Sequence, residues 1–166
     1  MEMGGLPLQG MLKVCVVGDA EVGKSSLVAS FVAGEPTTTP TARSRMYKKT
    51  LRVGDRELQL LIWDASSLDP KLDGIIKGSR VVYLVVDVTR YETLESLPAW
   101  VSKIRELEPR AEIVVVANKA DRKYEAQFWE EELRELAQRL GFRFAFTSAL
   151  DPEDGGVREA FLLPFS

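Results

Sequence analysis

Residues 18–25 are Gly-Asp-Ala-Glu-Val-Gly-Lys-Ser, which matches the phosphate-binding loop pattern G-x-x-x-x-G-K-[ST]. A β-branched apolar run at residues 12–17 precedes this loop, and residues 26–32 have the pattern of a helix start. The two glycines allow a tight turn whose backbone N–H groups point at phosphate oxygens, and the helix adds its positive end. The stretch therefore predicts a phosphate site, in which Lys24 would contact the β- and γ-phosphates and the Ser25 hydroxyl would bind Mg²⁺. Its predicted residues are Gly18, Asp19, Ala20, Glu21, Val22, Gly23, Lys24, Ser25 and Ser26.

The composition is typical of one globular domain. The chain has 166 residues, of which 45% are hydrophobic and 28% are charged, enough to bury a single core. A net charge of −3 argues against a nucleic-acid partner and against a polybasic membrane anchor. The chain contains no histidine, which excludes catalysis by imidazole and His-ligated zinc. Its single cysteine, Cys15, fits a buried small hydrophobe and allows no disulfide within the chain, which favours a cytoplasmic location.

No anchoring segment is expected. The longest apolar run, Val81–Val86, is too short to span a bilayer. Residues 1–10 lack the basic start and apolar core of a signal peptide, and we expect them to form a flexible extension to a domain covering residues 11–166. Residue 2 is Glu rather than the Gly of a myristoylation site, and residues 164–166 offer no cysteine for prenylation. The sequence thus predicts a protein without a lipid anchor. We also expect it to be a monomer.

The hydrophobic pattern predicts an α/β fold. Short β-branched runs alternate with helical periods, which is typical of a mainly parallel sheet with helices on both faces. Two runs at 46–53 and 57–63 flank Gly54-Asp55, so a hairpin should make one strand antiparallel. The other predicted elements are strands at 80–87, 112–117 and 142–146, helices at 97–107, 128–140 and 157–163, and loops at 34–42 and 64–74.

Two polar motifs follow strands at the edge where open α/β sheets bind ligands. Asn118-Lys-Ala-Asp121 follows the 112–117 strand, and the Asp121 carboxylate can accept parallel hydrogen bonds from guanine N1–H and N2–H. Adenine has no donor at either position, so such a pocket selects guanine. Lys119 would cover the ring while its head ties back to the phosphate loop. Thr147-Ser148-Ala149 follows the last strand, and the Ala149 N–H can donate to guanine O6. The predicted base-binding residues are Asn118, Lys119, Asp121, Ser148 and Ala149.

A third acidic group follows the 57–63 strand. Trp63-Asp64 ends that strand and places a carboxylate near the phosphates, where it would hold Mg²⁺ through a water.

In order and spacing these motifs resemble those of the Ras-like small GTPases, and residues 87–96 followed by Trp100 are most similar to the Ras and Rab branches. The similarity covers residues 11–163. It implies a three-layer P-loop NTPase G domain, with a six-stranded mixed sheet flanked by about five helices. It also implies binding of GTP/GDP with Mg²⁺, hydrolysis of GTP, and a switch read by protein effectors or regulators through loops 34–45 and 64–76.

The second switch departs from this family. The usual Asp-x-x-Gly-Gln is Asp-Ala-Ser-Ser-Leu at residues 64–68. Ser67 stands where a glycine donates its N–H to the γ-phosphate, and Leu68 stands where a glutamine orients the attacking water. Leucine has no donor or acceptor and cannot orient a water. We therefore expect slow GTP hydrolysis; the alternative is a nucleotide-holding interaction module that scarcely turns over.

The first switch leaves one assignment open. Thr41 best matches the threonine that completes Mg²⁺ coordination, but Thr37, Thr38 and Thr39 compete for this role. No aromatic residue lies where the family stacks one on guanine, and Pro36 is the nearest match. The resemblance thus implies Lys24, Thr41 and the position of Leu68 as the catalytic set. The implied metal ligands are Ser25, Thr41 and Asp64.

Overall fold

A six-stranded β-sheet forms the centre of the fold in a computed structural model that describes residues 11–33, 44–149 and 155–165. Its strands are β1 (Met11–Gly18), β2 (Arg45–Val53), β3 (Arg56–Asp64), β4 (Val81–Asp87), β5 (Glu112–Asn118) and β6 (Arg143–Phe146). The spatial order is β2-β3-β1-β4-β5-β6, and only the β2–β3 pair is antiparallel. The predicted mixed sheet with one antiparallel strand is therefore confirmed.

The antiparallel pair is the predicted hairpin. Its turn contains Gly54, whose φ of 63° lies in the left-handed region that glycine adopts without a steric cost. The pairing extends as far as Arg45 opposite Asp64, so the hairpin reaches slightly beyond the predicted runs. Alternate residues of β3 are buried, in agreement with the period of a strand.

The central strands are covered on both faces. Every residue of β4 is buried, and in β5 every residue except Glu112 is buried. Two apolar clusters fill the two sides of the sheet, one including Cys15, Leu84 and Leu133 and the other including Val16, Tyr83 and Phe161. Continuous apolar runs are what strands between two helical layers require, which explains the sequence pattern.

Six α-helices lie within the described residues, against the expected number of about five. They are α1 (Lys24–Val32), α2 (Leu72–Ile76), α3 (Tyr91–Glu95), α4 (Leu97–Leu107), α5 (Glu130–Leu140) and α6 (Val157–Leu162), with 3₁₀ turns at Ala120–Glu125 and Leu163–Phe165. Helix α5 begins two residues later than predicted because Trp129 is still extended, and its backbone N–H donates to Glu132 Oε1 at 2.9 Å. Gly141 ends α5 as predicted, with a φ of 80°.

The chain directions bring five loops to one edge of the sheet. Strands β1, β3, β4, β5 and β6 are mutually parallel, so their carboxyl ends share that edge. The register places Asp64 beside Val16 of β1 and Asp87 beside Asn118 of β5. None of the helices in the described ranges is long and apolar enough to cross a membrane. The extension expected at 1–10, and the loop expected at 34–42, lie outside the described residues.

Candidate nucleotide-binding site

The phosphate loop, residues 18–25, connects β1 to α1 and wraps around the Lys24 side chain. Lys24 Nζ donates to the carbonyl oxygens of Gly18 at 3.0 Å and of Asp19 at 2.8 Å. The lysine is only 9% exposed. Burial lowers the pKa of Lys24, against the influence of the nearby Asp64 and Asp19 carboxylates. A largely desolvated cation held by loop carbonyls is well placed for an anionic ligand.

Both glycines of the loop are required by close approaches. A Cβ on Gly18 would lie 2.5 Å from the carbonyl oxygen of Val85, and one on Gly23 would lie 2.3 Å from Asn118 Nδ2. Gly18 has a φ of 149° and Gly23 a φ of 101°, which disfavour any residue with a side chain. The loop therefore lies directly against the ends of β4 and β5.

Ser25 and Asp64 meet beside the loop. Ser25 Oγ donates to Asp64 Oδ2 at 2.7 Å, which links the start of α1 to the end of β3. Asp64 is 6% exposed, and burial raises its pKa although the hydrogen bond from Ser25 opposes this shift. A divalent cation would relieve the cost of that buried charge. Hydroxyl and carboxylate oxygens are ligands that Mg²⁺ prefers, so the residues present fit this ion.

A pocket of about 150 Å³ lies beside the phosphate loop. Its lining residues are Gly23, Ser26, Asn118, Lys119, Asp121, Arg122 and Ala149, and all except Arg122 were expected at the site. Ser148 Oγ donates to Asp121 Oδ1 at 2.7 Å, which fixes the carboxylate at the pocket wall. A larger groove of about 580 Å³ lies between α3–α4 and α5, but its lining includes Glu95, Glu131, Glu132 and Glu135, which would repel a nucleotide.

Asn118 joins the phosphate loop to the base pocket. Its Nδ2 donates to the Val22 carbonyl at 3.0 Å, and its Oδ1 accepts from Thr147 Oγ1 at 3.1 Å. Asn118 is 2% exposed, so its amide serves as an internal brace. The three motifs that follow β1, β5 and β6 are thereby connected by side-chain hydrogen bonds.

Lys119 ties the base motif to the loop, as the sequence led us to expect. Its Nζ lies 3.3 Å from the Glu21 carbonyl oxygen and 2.8 Å from Asp87 Oδ2. Both Lys119 and Glu21 adopt left-handed φ values, 66° and 65°, which are uncommon for residues other than glycine. Such strained positions cluster at functional sites, where the surrounding structure enforces them.

Asp87 lies beside the candidate site and was not predicted from the sequence. It is fully buried at the end of β4. Burial raises the pKa of this carboxyl, but the Lys119 ammonium and hydrogen bonds from Thr89 outweigh burial and hold the pKa below its usual value. The available signal was a carboxylate that ends an otherwise apolar strand, one strand away from Asn118.

The segment from Arg90 to Trp100 holds the outer side of the phosphate loop, which the sequence also did not indicate. The Asp19 carboxylate accepts from Ser96 Oγ at 2.8 Å and from Trp100 Nε1 at 3.0 Å. Arg90 Nη1 donates to the Ala20 carbonyl at 2.9 Å. The two partners of each contact lie at least 70 residues apart in the chain, so no local sequence pattern predicts these hydrogen bonds.

The second-switch segment is held by hydrogen bonds of the Ser44 hydroxyl. Ser44 Oγ donates to Asp69 Oδ2 at 2.6 Å and accepts from the Ser66 N–H at 3.1 Å. Leu68 is 69% exposed, and its side chain offers no polar atom. The expected first-switch residues Thr41, Thr37, Thr38, Thr39 and Pro36 lie outside the described ranges.

Comparisons with known proteins identify the family of this chain. The model of the Ras family matches residues 13–163. The chain is 32% identical to Ras-related protein RABA6b of Arabidopsis thaliana over 158 residues, which cover 92% of the chain and 68% of the relative. It is 33% identical to Ras-related protein Rab-22A of Mus musculus over 147 residues, which cover 83% of the chain and 74% of the relative. The chain belongs to the Ras family of small GTPases.

Proposed function

We propose that this guanine-nucleotide switch selects guanine through Asp121, binds Mg²⁺ through Ser25 and Asp64, and hydrolyses GTP slowly because of Leu68. The observation that carries the proposal is the bracing of Val22, Asn118 and Thr147 by two hydrogen bonds, since it fixes the base pocket relative to the phosphate loop. A preformed site of this kind pays little ordering entropy when its ligand binds.

Guanine selection rests on the position of one carboxylate. Asp121 lines the pocket beside Lys119, and Ser148 holds its Oδ1. A carboxylate accepts hydrogen bonds and cannot donate them, so it matches the two adjacent N–H donors of guanine and rejects adenine. The N–H of Ala149 would add a donor to guanine O6.

Asp121→Asn tests this selection. Each charged hydrogen bond is worth about 1.5–3 kcal/mol, so the variant should lose at least about tenfold in GDP affinity. It should also gain preference for xanthosine diphosphate, whose C2 carbonyl suits an amide donor. The measurement is a calorimetric titration with GDP, ADP and xanthosine diphosphate. Asp55→Asn, in the hairpin turn at the opposite end of the sheet, is the matched control. Equal affinity of the unmodified protein for ADP and GDP would contradict the proposal.

The Mg²⁺ site would be built from Ser25 and Asp64, with Thr41 added when a triphosphate is bound. The ion would neutralise charge on the phosphate oxygens. Ser25 is exposed beside the loop while Asp64 is buried, so the hydroxyl is the group open to a ligand. The assignment of Thr41 follows from the resemblance alone.

Slow hydrolysis is proposed from Leu68. Phosphoryl transfer depends on positioning the water and stabilising charge, and an apolar side chain does neither. The second candidate function, a nucleotide-holding interaction module, is favoured by the same residue. In either case we propose that effectors or regulators contact residues 64–76, where Leu68 is exposed, and that the protein works as a cytoplasmic monomer. Light scattering after size-exclusion chromatography measures the oligomeric state.

A further inference from the structure

Arg90 places a guanidinium group on the phosphate loop from outside. Its Nη1 donates to the Ala20 carbonyl at 2.9 Å, and its Nε lies 3.4 Å from Glu92 Oε1. Within the residues described, Nη2 has no hydrogen bond, and the side chain is 35% exposed. Lys24 donates to the carbonyl oxygens of residues 18 and 19, and Arg90 donates to that of residue 20. The loop thus carries two cations on consecutive carbonyls, one buried and one at its rim.

The backbone at Arg90 is firmly held. The Arg90 N–H donates to the Asp87 carbonyl at 2.9 Å, and the Arg90 carbonyl accepts from Thr93 Oγ1 at 2.8 Å. Thr93 is 1% exposed, and its hydroxyl oxygen accepts from the Asp87 N–H at 3.0 Å. The backbone of Arg90 is therefore fixed, and any reorientation toward a ligand on the loop is confined to its side chain.

We propose that Arg90 is a catalytic arginine supplied in cis, whose guanidinium contacts the γ-phosphate of bound GTP. The inference rests on the proposed function, because it needs GTP on the phosphate loop. In hydrolysis, a water oxygen forms a bond to the γ-phosphorus, and the bond from that phosphorus to the β–γ bridging oxygen breaks. The products are GDP, inorganic phosphate and one proton released to solvent. Negative charge grows on the phosphate oxygens during this step, and a guanidinium at the rim stabilises it.

Arg90 and the residue at position 68 perform different parts of the reaction. A glutamine at position 68 would orient the water, whereas Arg90 stabilises charge. With Leu68 in place the first part is missing and hydrolysis is slow, so a further loss of rate at Arg90 is hard to measure. The Leu68→Gln background therefore exposes the effect of Arg90.

The experiment compares variants in the Leu68→Gln background. Arg90→Gln keeps an N–H donor for the Ala20 carbonyl and loses the charge, while Arg90→Lys keeps a charge. Arg139→Ala, on the exposed face of α5, is the matched control for removal of a surface arginine. For each protein we would measure the GDP dissociation constant, the single-turnover rate of GTP hydrolysis, and retention of aluminium fluoride with GDP and Mg²⁺ by fluorine NMR. Aluminium fluoride mimics the transferring phosphoryl group, so it reports transition-state binding.

We expect Arg90→Gln to lower the hydrolysis rate by about tenfold or more and to lose aluminium fluoride, while its GDP affinity stays unchanged. Arg90→Lys should recover part of the rate, and Arg139→Ala should match its parent. Equal losses in GDP affinity and rate in Arg90→Gln would make Arg90 a structural brace of the loop and overturn the inference. An unchanged rate, or a Leu68→Gln parent that retains no aluminium fluoride, would also overturn it. If the unmodified protein fails to bind GDP, the proposed function fails together with this inference.

Discussion

The Asp87 carboxylate is fully buried, yet one ion pair and two hydrogen bonds compensate its charge. Lys119 Nζ lies 2.8 Å from Oδ2, and the N–H and hydroxyl of Thr89 donate to Oδ1 at 2.9 and 2.6 Å. Because Lys119 also contacts the Glu21 carbonyl, Asp87 orients a residue expected to cover the base. A single carboxylate thus supports both the local fold and the nucleotide site.

We expect Asp87→Asn to lower the free energy of unfolding by about 1.5–3 kcal/mol at neutral pH, because Lys119 loses its charged acceptor. The folded-state pKa of Asp87 lies below its usual value, so its contribution is present above the unfolded-state pKa of about 3.9. That contribution is lost as the pH falls through the folded-state pKa. Urea unfolding at several pH values measures the difference between the two proteins, which should shrink in acid. Asp73→Asn, at an exposed carboxylate 3.1 Å from Lys103, should change stability by less than about 1 kcal/mol. A pH-independent difference would contradict this role.

Residues at the ends of predicted strands could be placed from the sequence, and residues that act across the fold could not. Asp64, Asn118 and Thr147 directly follow strands, so a parallel sheet must bring them to one edge. The contacts of Asp87 and Arg90 depend on how α3 and the 118–121 segment fold back over the loop. Such contacts join residues far apart in the chain and leave no periodic signal.

At the scale of elements, α4 and the phosphate loop are linked by the Asp19 carboxylate. Ser96 and Trp100 donate to its two oxygens. A displacement of α4 would therefore move the loop and change its contacts with a bound ligand. The short helices α2 and α3, of five residues each, escaped prediction because a helical period cannot be recognised over so few positions. The longer α4 was predicted with its observed bounds because its period is clear.

We predict that Trp100→Phe increases the GDP dissociation rate by about tenfold, because Asp19 loses one hydrogen bond of about 1.5 kcal/mol. Stopped-flow release of a fluorescent GDP analogue measures this rate. Trp129→Phe, whose indole stacks on Phe146 away from the loop, is the matched control and should leave the rate unchanged. Equal rates for the Trp100→Phe variant and the unmodified protein would show that this link does not hold the loop.

At the scale of the whole molecule, we expect ligand binding to stabilise the central sheet, because the phosphate loop directly follows β1. Cys15 lies in β1, next to β3 and β4, and is fully buried. Burial raises the pKa of its thiol to about 11, against a hydrogen bond with Ser79. The thiol can therefore react only when the sheet opens.

We expect a thiol reagent to label native Cys15 slowly, and GDP at 100 times its dissociation constant to slow labelling by about 100-fold, equivalent to about 2.7 kcal/mol. Mass spectrometry of the labelled chain at intervals measures the rate. Protein unfolded in guanidinium is the control, and there GDP should have no effect. Rapid labelling of the GDP-bound protein would contradict the coupling.

The proposal that Leu68 makes GTP hydrolysis slow is tested most directly by single-turnover GTP hydrolysis of the unmodified protein and of Leu68→Gln. Ras, which has the glutamine, turns over at about 3–5 × 10⁻⁴ s⁻¹. We predict an unmodified rate at or below that range and a faster rate for Leu68→Gln, whereas Leu68→Met, which stays apolar, should remain slow. An unmodified rate well above the Ras range that Leu68→Gln leaves unchanged would contradict the assignment of slow hydrolysis to Leu68.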